Sequence, residues 1–216
     1  MSPRLRLVPP PLDAATGDGP AAQISDPKSG GDKLADLVAR KPAAERWLLE
    51  TEGRRVERVL MRILGDVRVL EDLTQEVFVR VFRRVGEVRD PNALRGFVTS
   101  VAVFVAREAI RKKRRHRWLA FLAPDEIPEP TASDDLEARE ALRAIYRVLD
   151  QLDADDRVAF ALRFIDGMEL RDVALACGCS LATIKRRLDR AGGRFSNLCR
   201  KDEVLVRWIE EGDRWA

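Results

Sequence analysis

The stretch that decides the fold is LRDVALACGCSLATIKRRLDRAGGRF, residues 170–195. Leu170, Val173, Ala174 and Cys177 recur at i, i+3, i+4 and i+7, so they share one face of a short helix. Gly178 then supplies a residue that tolerates left-handed backbone, and Ser180 is a good N-cap for a following helix. A second apolar stripe follows at Ile184, Leu188, Ala191 and Phe195. Helical periodicity points Arg186 and Arg190 away from that stripe, with Thr183, Lys185, Arg187 and Arg194 beside them. Two short helices joined by a glycine turn, the second bearing outward arginines, is how a helix is offered to a DNA major groove. Arginine forks onto guanine O6 and N7, while lysine and threonine hold phosphates. The residues expected to face duplex DNA are therefore Ser180, Thr183, Lys185, Arg186, Arg187 and Arg190. A solvated basic face in an ordinary helix bundle is the plainer alternative, and the turn and the cap together favour DNA.

Working outward, the 216 residues are 45% apolar and 35% charged, a balance that suits small helical domains with solvated surfaces. A single tyrosine and few alternating β-branched runs argue against sheet, so the expected class is all-α. The longest uncharged apolar run, 96–106, is too short to cross a bilayer and contains Thr99 and Ser100. Prolines interrupt the N-terminus before any hydrophobic signal core, so neither secretion nor membrane insertion is expected. Three cysteines, two of them in Cys177-Gly178-Cys179, make no disulfide framework for a chain of this size, and a reducing cytoplasm is the natural setting.

The net charge of +3 hides an asymmetry. Residues 33–118 hold 21 Lys and Arg against 12 Asp and Glu, residues 119–140 hold 1 against 7, and residues 141–199 hold 10 against 8. A basic block, an acidic connector and a milder basic block suggest two modules on a polyanion, joined by a segment that avoids it. Residues 1–32, rich in Pro, Gly, Ala and Asp without periodicity, are expected to be a disordered tail. Helical patterning runs over 33–118, with interruptions at Pro42, Gly53, Gly65 and Asp90-Pro91. An acidic, proline-rich linker spans 119–135, a second helical domain 136–199, and an extension with a short amphipathic piece 200–216.

Residues 153–191 resemble region 4 of the bacterial RNA polymerase sigma factors. The matching residues are Arg157, Phe160, Leu162, Gly167, Asp172-Val173-Ala174, Gly178, Ser180, Thr183-Ile184-Lys185 and Arg190-Ala191. The resemblance implies contact with the −35 promoter element and, on the enzyme, with the β flap. Cys177 and Cys179 stand where the family usually has Leu and Val, and are most simply small core hydrophobes.

Leu70, Leu73, Val77 and Val81 form the apolar stripe of an earlier helix, with Asp72, Gln75 and Glu76 opposite and Phe78 and Phe82 on its flank. By itself such a face is usually just solvated. But Leu64-Gly65-Asp66 followed by Glu71-Asp72-Leu73-Thr74-Gln75-Glu76-Val77-Phe78 is similar to region 2 of the extracytoplasmic-function (ECF) sigma subfamily. That likeness implies that Asp72, Gln75, Glu76 and Phe78 bind the β′ clamp helices of core polymerase, and an anti-sigma factor is a further partner the family allows. Between the two blocks, the run Arg111-Lys112-Lys113-Arg114-Arg115-His116-Arg117 places six cations in seven residues at a helix end. More than a helix dipole requires, it should bind phosphate with steep salt dependence. The resemblance places Phe97, Phe104, Arg111, Lys112, Lys113, Arg114 and Arg115 at the −10 element.

Here the chain departs from its family, which usually carries a tryptophan near Phe97 and a polar Arg-Asn pair in place of Val103-Phe104. The helix is consequently apolar nearly all round over 97–106, and such a helix needs cover. Phe104 stacks on an unpaired base, or the tail or the second module buries it, or promoter melting is weakened; an altered −10 preference is favoured. For catalysis there is little: the lone histidine, His116, lies in the basic run, and neither a phosphate loop nor metal-spaced ligands appear. Neither cofactor nor metal is expected, since Cys177, Cys179 and Cys199 fall short of four ligands. The expected function is that of a sigma factor rather than an enzyme. A stand-alone helix-turn-helix regulator without polymerase binding ranks second, and a redox- or zinc-responsive switch on the same fold third.

Overall fold

The computed structural model of the chain describes residues 27–119 and 136–212, and all regular structure among them is helical. The expected linker therefore lies outside the described residues apart from its first position, as does the tail up to residue 26. Helix α1, Pro27–Val38, begins inside the stretch expected to be a tail and seats Leu34 and Leu37 in the core. Helix α2, Pro42–Leu64, starts on a proline, whose missing N–H costs nothing in a first turn. It runs straight through Gly53, where an interruption was expected. Burial of Leu48, Val56, Leu60 and Ile63 outweighs the glycine's cost of about 1 kcal/mol. It ends at Gly65, left-handed at φ 67°, whose N–H bonds Met61 O at 2.7 Å.

Helix α3, Leu70–Arg84, has Glu71 and Asp72 in its first turn and Arg83 and Arg84 in its last, matching its dipole. Helix α4, Leu94–Leu119, follows a turn in which Asp90 accepts from the Asn92 amide. Helices α2, α3 and α4 pack on one another, and a partly buried polar cluster pins α2 to α4: Arg55 holds Glu52 at 2.5 Å, Thr99 Oγ1 at 2.7 Å and Arg95 O at 2.9 Å.

In the second module α5, Leu136–Leu149, leads to α6, Ala154–Phe160, which continues as a π turn over Ala161–Ile165. Then come α7, Leu170–Cys177, α8, Leu181–Cys199, and α9, Glu203–Gly212. Ile145, Leu149, Phe160, Phe195 and Leu205 share one core, with the Phe160 and Phe195 rings 4.7 Å apart. Leu205 comes from α9, so the expected extension begins as a working part of this core.

The two modules were expected to be tethered units. Instead one continuous apolar cluster crosses between them, joining Val98, Val101 and Val103 of α4 to Val158, Leu162, Val173, Cys177 and Ile184. The physical reason is α4 itself: a helix apolar nearly all round has two faces to bury, and α6 and α7 cover the second. Polar groups seal the joint. The C-terminal carbonyls of α2 lack intrahelical donors. Buried Arg157 donates to Ile63 O at 2.9 Å and Leu64 O at 2.8 Å, while the Tyr146 hydroxyl donates to Arg62 O at 3.2 Å. Arg157 also pairs with Asp150, and Arg62 with Asp166. A Cβ on Gly65 would lie 2.3 Å from the Tyr146 ring, so glycine is required there by both backbone and neighbour.

Candidate nucleic-acid interface

Helices α7 and α8 meet across Gly178, which is left-handed at φ 63° and returns its N–H to Leu175 O. Ser180 caps α8: its Oγ accepts from the Thr183 amide at 3.2 Å and lies 2.9 Å from Thr183 Oγ1. Ile184, Ala191 and Phe195 are buried, which turns Lys185, Arg186 and Arg190 outward. Among the described residues Lys185 and Arg186 have no ion pair, so their charge is free for a polyanion. Arg187 is half-buried, with a terminal nitrogen 3.5 Å from Asp155 Oδ1. Arg190 grips the buried Asp156 carboxylate through two contacts of 2.6 and 2.5 Å. The six residues expected to face DNA thus divide: Lys185 and Arg186 are free, Ser180 and Thr183 form the cap, and Arg187 and Arg190 are engaged with aspartates.

The basic end of α4 presents Lys112 and Arg115 to solvent. Four other cations of the helix reach across the module boundary. Arg107 and Arg111 each reach Asp155 at 2.9 Å, Arg114 reaches Asp153 at 3.0 Å, and Lys113 lies 3.6 Å from Asp150. The Arg114 hydrogen bond holds the Asp153 carboxyl below its ordinary range. Phe97 is half-buried, and Val103 is buried. Phe104 stays 47% exposed, with the Arg80 guanidinium over its ring at 5.2 Å. It borders a groove of about 460 Å³ between α4 and α7 that Leu175 lines from the far side. The end of α7 is stitched to the body of α4 there by Ser100 and Arg107, which donate to Leu175 O and Cys177 O.

On α3, Asp72 and Gln75 are exposed and Glu76 is half-exposed, paired with Arg80 at 2.6 Å. Phe78 requires a correction. It is 4% exposed and packs in the main core beside Phe82, ring centroids 6.1 Å apart. It shares the buried side of the helix with Val77 and Val81, so it positions the polar face and cannot itself touch a partner. Cys177 and Cys199 are buried in different apolar clusters, and burial pushes both thiols up to about 11, which keeps them protonated. Among the described residues no group of three His, Cys, Asp or Glu side chains is placed to hold a metal. Nor is any described helix long and apolar enough to cross a membrane.

Sequence reasoning missed Arg107, Tyr146, Arg157 and the aspartates at 150–156 as joint-forming residues. Four acids in seven positions, Asp150, Asp153, Asp155 and Asp156, was the available signal.

Residues 48–116 match the family described as Sigma-70 region 2, and residues 142–191 that described as Sigma-70, region 4. The chain is 28% identical over 168 residues to the ECF RNA polymerase sigma factor SigE of Mycolicibacterium smegmatis, an overlap covering 74% of this chain but 64% of SigE, under two thirds of that protein. To the ECF RNA polymerase sigma factor SigC of Mycobacterium tuberculosis it is 30% identical over 131 residues, 59% of this chain and 69% of SigC. In fold it is similar to CnrH, solved in complex with the cytosolic domain of CnrY, with a TM-score of 0.56, 19% identity and coverage of 80% of this chain and 97% of that one.

Proposed function

The chain belongs to the RNA polymerase sigma factors of the ECF type, and from that membership we propose that it directs core polymerase to specific promoters for transcription initiation. The observation that carries this is the pairing, on one chain, of a recognition helix with the free cations Lys185 and Arg186 and a helix on the other module that exposes Glu71, Asp72 and Gln75. Asp72, Gln75 and Glu76 dock on the β′ clamp helices, with buried Phe78 holding their helix in place. The region-4 module engages the β flap and lays α8 in the −35 major groove, where Arg186 reads bases and Lys185 holds phosphate. Lys112, Arg115 and, once released, Arg111, Lys113 and Arg114 take the phosphates around the −10 element, while Phe97 supports the helix. Phe104, exposed and already topped by a cation, stacks on an unpaired base.

The chain then works as a binding protein in the cytoplasm, where the polymerase is, and not as an enzyme. Its histidine, His116, stands exposed among cations without a role in bond-making. CnrH is held by the cytosolic domain of another protein, which supports an anti-sigma partner here too.

A pull-down of core polymerase with the purified chain, followed by transcription from candidate promoters, tests the proposal. Core binding and promoter-dependent transcripts are expected. Tight operator binding without affinity for core would instead make it a stand-alone helix-turn-helix regulator. On forked promoter DNA, Phe104→Asn is expected to change the −10 base preference; an unchanged preference removes Phe104 from base readout.

A further inference from the structure

Arg111, Lys113 and Arg114, three of the five cations assigned to −10 DNA, are not idle in this structure, and neither is their neighbour Arg107. Arg107, Arg111, Lys113 and Arg114 of α4 all meet carboxylates of the other module, at Asp155, Asp155, Asp150 and Asp153. Arg187 of the recognition helix meets the same Asp155, and Arg190 meets Asp156. One seven-residue segment, DQLDADD at 150–156, therefore occupies basic side chains of both expected DNA surfaces. Asp153, Asp155 and Asp156 lie at the start of α6, where a helix dipole stabilises negative charge, and Asp150, just past the end of α5, is held by Arg157. A row of carboxylates that forks onto arginines offers the same chemistry as a phosphate backbone.

We propose that aspartates 150, 153 and 155 act as an internal stand-in for promoter phosphates: they hold the basic end of α4 against the second module until nucleic acid or polymerase displaces them. The inference rests on the proposed promoter function and adds its regulation, because the free chain then binds DNA weakly. Displacement exchanges each Asp–cation pair for a phosphate–cation pair, so its cost is mainly the apolar cluster that α4 shares with α6 and α7. These pairs are partly solvent-exposed, so salt loosens the hold even as it weakens DNA binding.

The test uses the full chain without polymerase. Asp153→Asn with Asp155→Asn is compared with Glu50→Gln plus Glu57→Gln, an equal charge change at exposed positions of α2. On duplex DNA the aspartate pair is expected to gain about tenfold in affinity, and the glutamate pair the small increment of general charge. Equal gains would overturn the proposal. Wild-type chain gives a second, variant-free measurement by amide hydrogen exchange. Adding DNA is expected to protect residues 107–115 and to deprotect 150–156. If 150–156 stay protected while DNA is bound, the displacement does not occur. Neither readout involves polymerase, so failure here is distinguishable from failure of core binding or transcription.

Discussion

The two basic surfaces of this chain carry similar residues but are held by carboxylates to different degrees, among the described residues two cations on α8 against four on α4. On α8, Lys185 and Arg186 face solvent without ion pairs among the described residues. On α4, Arg107 and Arg114 are held by aspartates of the neighbouring module. The difference comes from what lies beneath each cation. Helix α8 has one apolar stripe, buried in its own module, which leaves its opposite face to solvent. Helix α4 has apolar residues on two faces, so a second layer of protein covers it and brings carboxylates to its basic end. Arginine density by itself does not say which surface is available; the periodicity of the apolar residues does.

The largest perturbation of this contrast is expected from Arg157→Ala. It removes a buried cation that serves two α2 carbonyls and Asp150, and such a loss should cost about 3–5 kcal/mol. Denaturant unfolding measures it, and a shift within experimental scatter would mean that the joint contributes little to stability. Phe78→Ala should cost a similar amount, about 3–5 kcal/mol, whereas Asp72→Ala should stay within about 0.5 kcal/mol while weakening core polymerase binding. If Phe78→Ala proved as stable as wild type and lost only polymerase affinity, Phe78 would be a contact after all.

Gly65→Ala forces a methyl group into the Tyr146 ring and should destabilise the joint by about 1–3 kcal/mol. The chain's single tyrosine reports on it. Burial pushes the Tyr146 phenol up to about 12 from an ordinary 10. The closed form therefore prefers the neutral phenol: its stability is complete below pH 10 and falls as the pH rises from 10 to 12. Absorbance titration of tyrosinate should show the raised value in wild type and a lower one in Gly65→Ala. A wild-type midpoint at the ordinary value would place the hydroxyl in solvent.

On the open surface the effects are selective. Arg186→Ala should lose about 1–3 kcal/mol at particular base pairs of a −35 site and leave folding unchanged. Lys112→Ala and Arg115→Ala should instead weaken binding to all sequences and reduce the salt slope by about one each. A base-specific effect from Lys112, or a uniform one from Arg186, would reverse the roles given to α4 and α8.

Much of this architecture was legible in the residues. The stripe Ile184, Leu188, Ala191 and Phe195 and the Gly178–Ser180 turn place α7 and α8 where they are found, because helix periodicity and capping are local. The limits of α2 at Pro42 and Gly65 were legible for the same reason. Gly53 misled, since propensity is outweighed by burial along the rest of the helix. Phe78 misled because it sits where the apolar stripe meets the polar face, and only the neighbouring helices decide on which side such a residue falls.

Sequence alone determined the limits of α2, the α7–α8 turn with its Ser180 cap and the outward arginines of α8, all set by interactions within a few turns of chain. It also marked α4 as a helix in need of cover. Tertiary structure alone decided what provides that cover, and so which cations are free. Asp155 meets Arg107 and Arg111 more than forty positions away, and Arg157 reaches the end of α2 from still farther along the chain. An ion pair depends on distance in space, and a local pattern holds no record of which distant carboxylate a folded core will bring near.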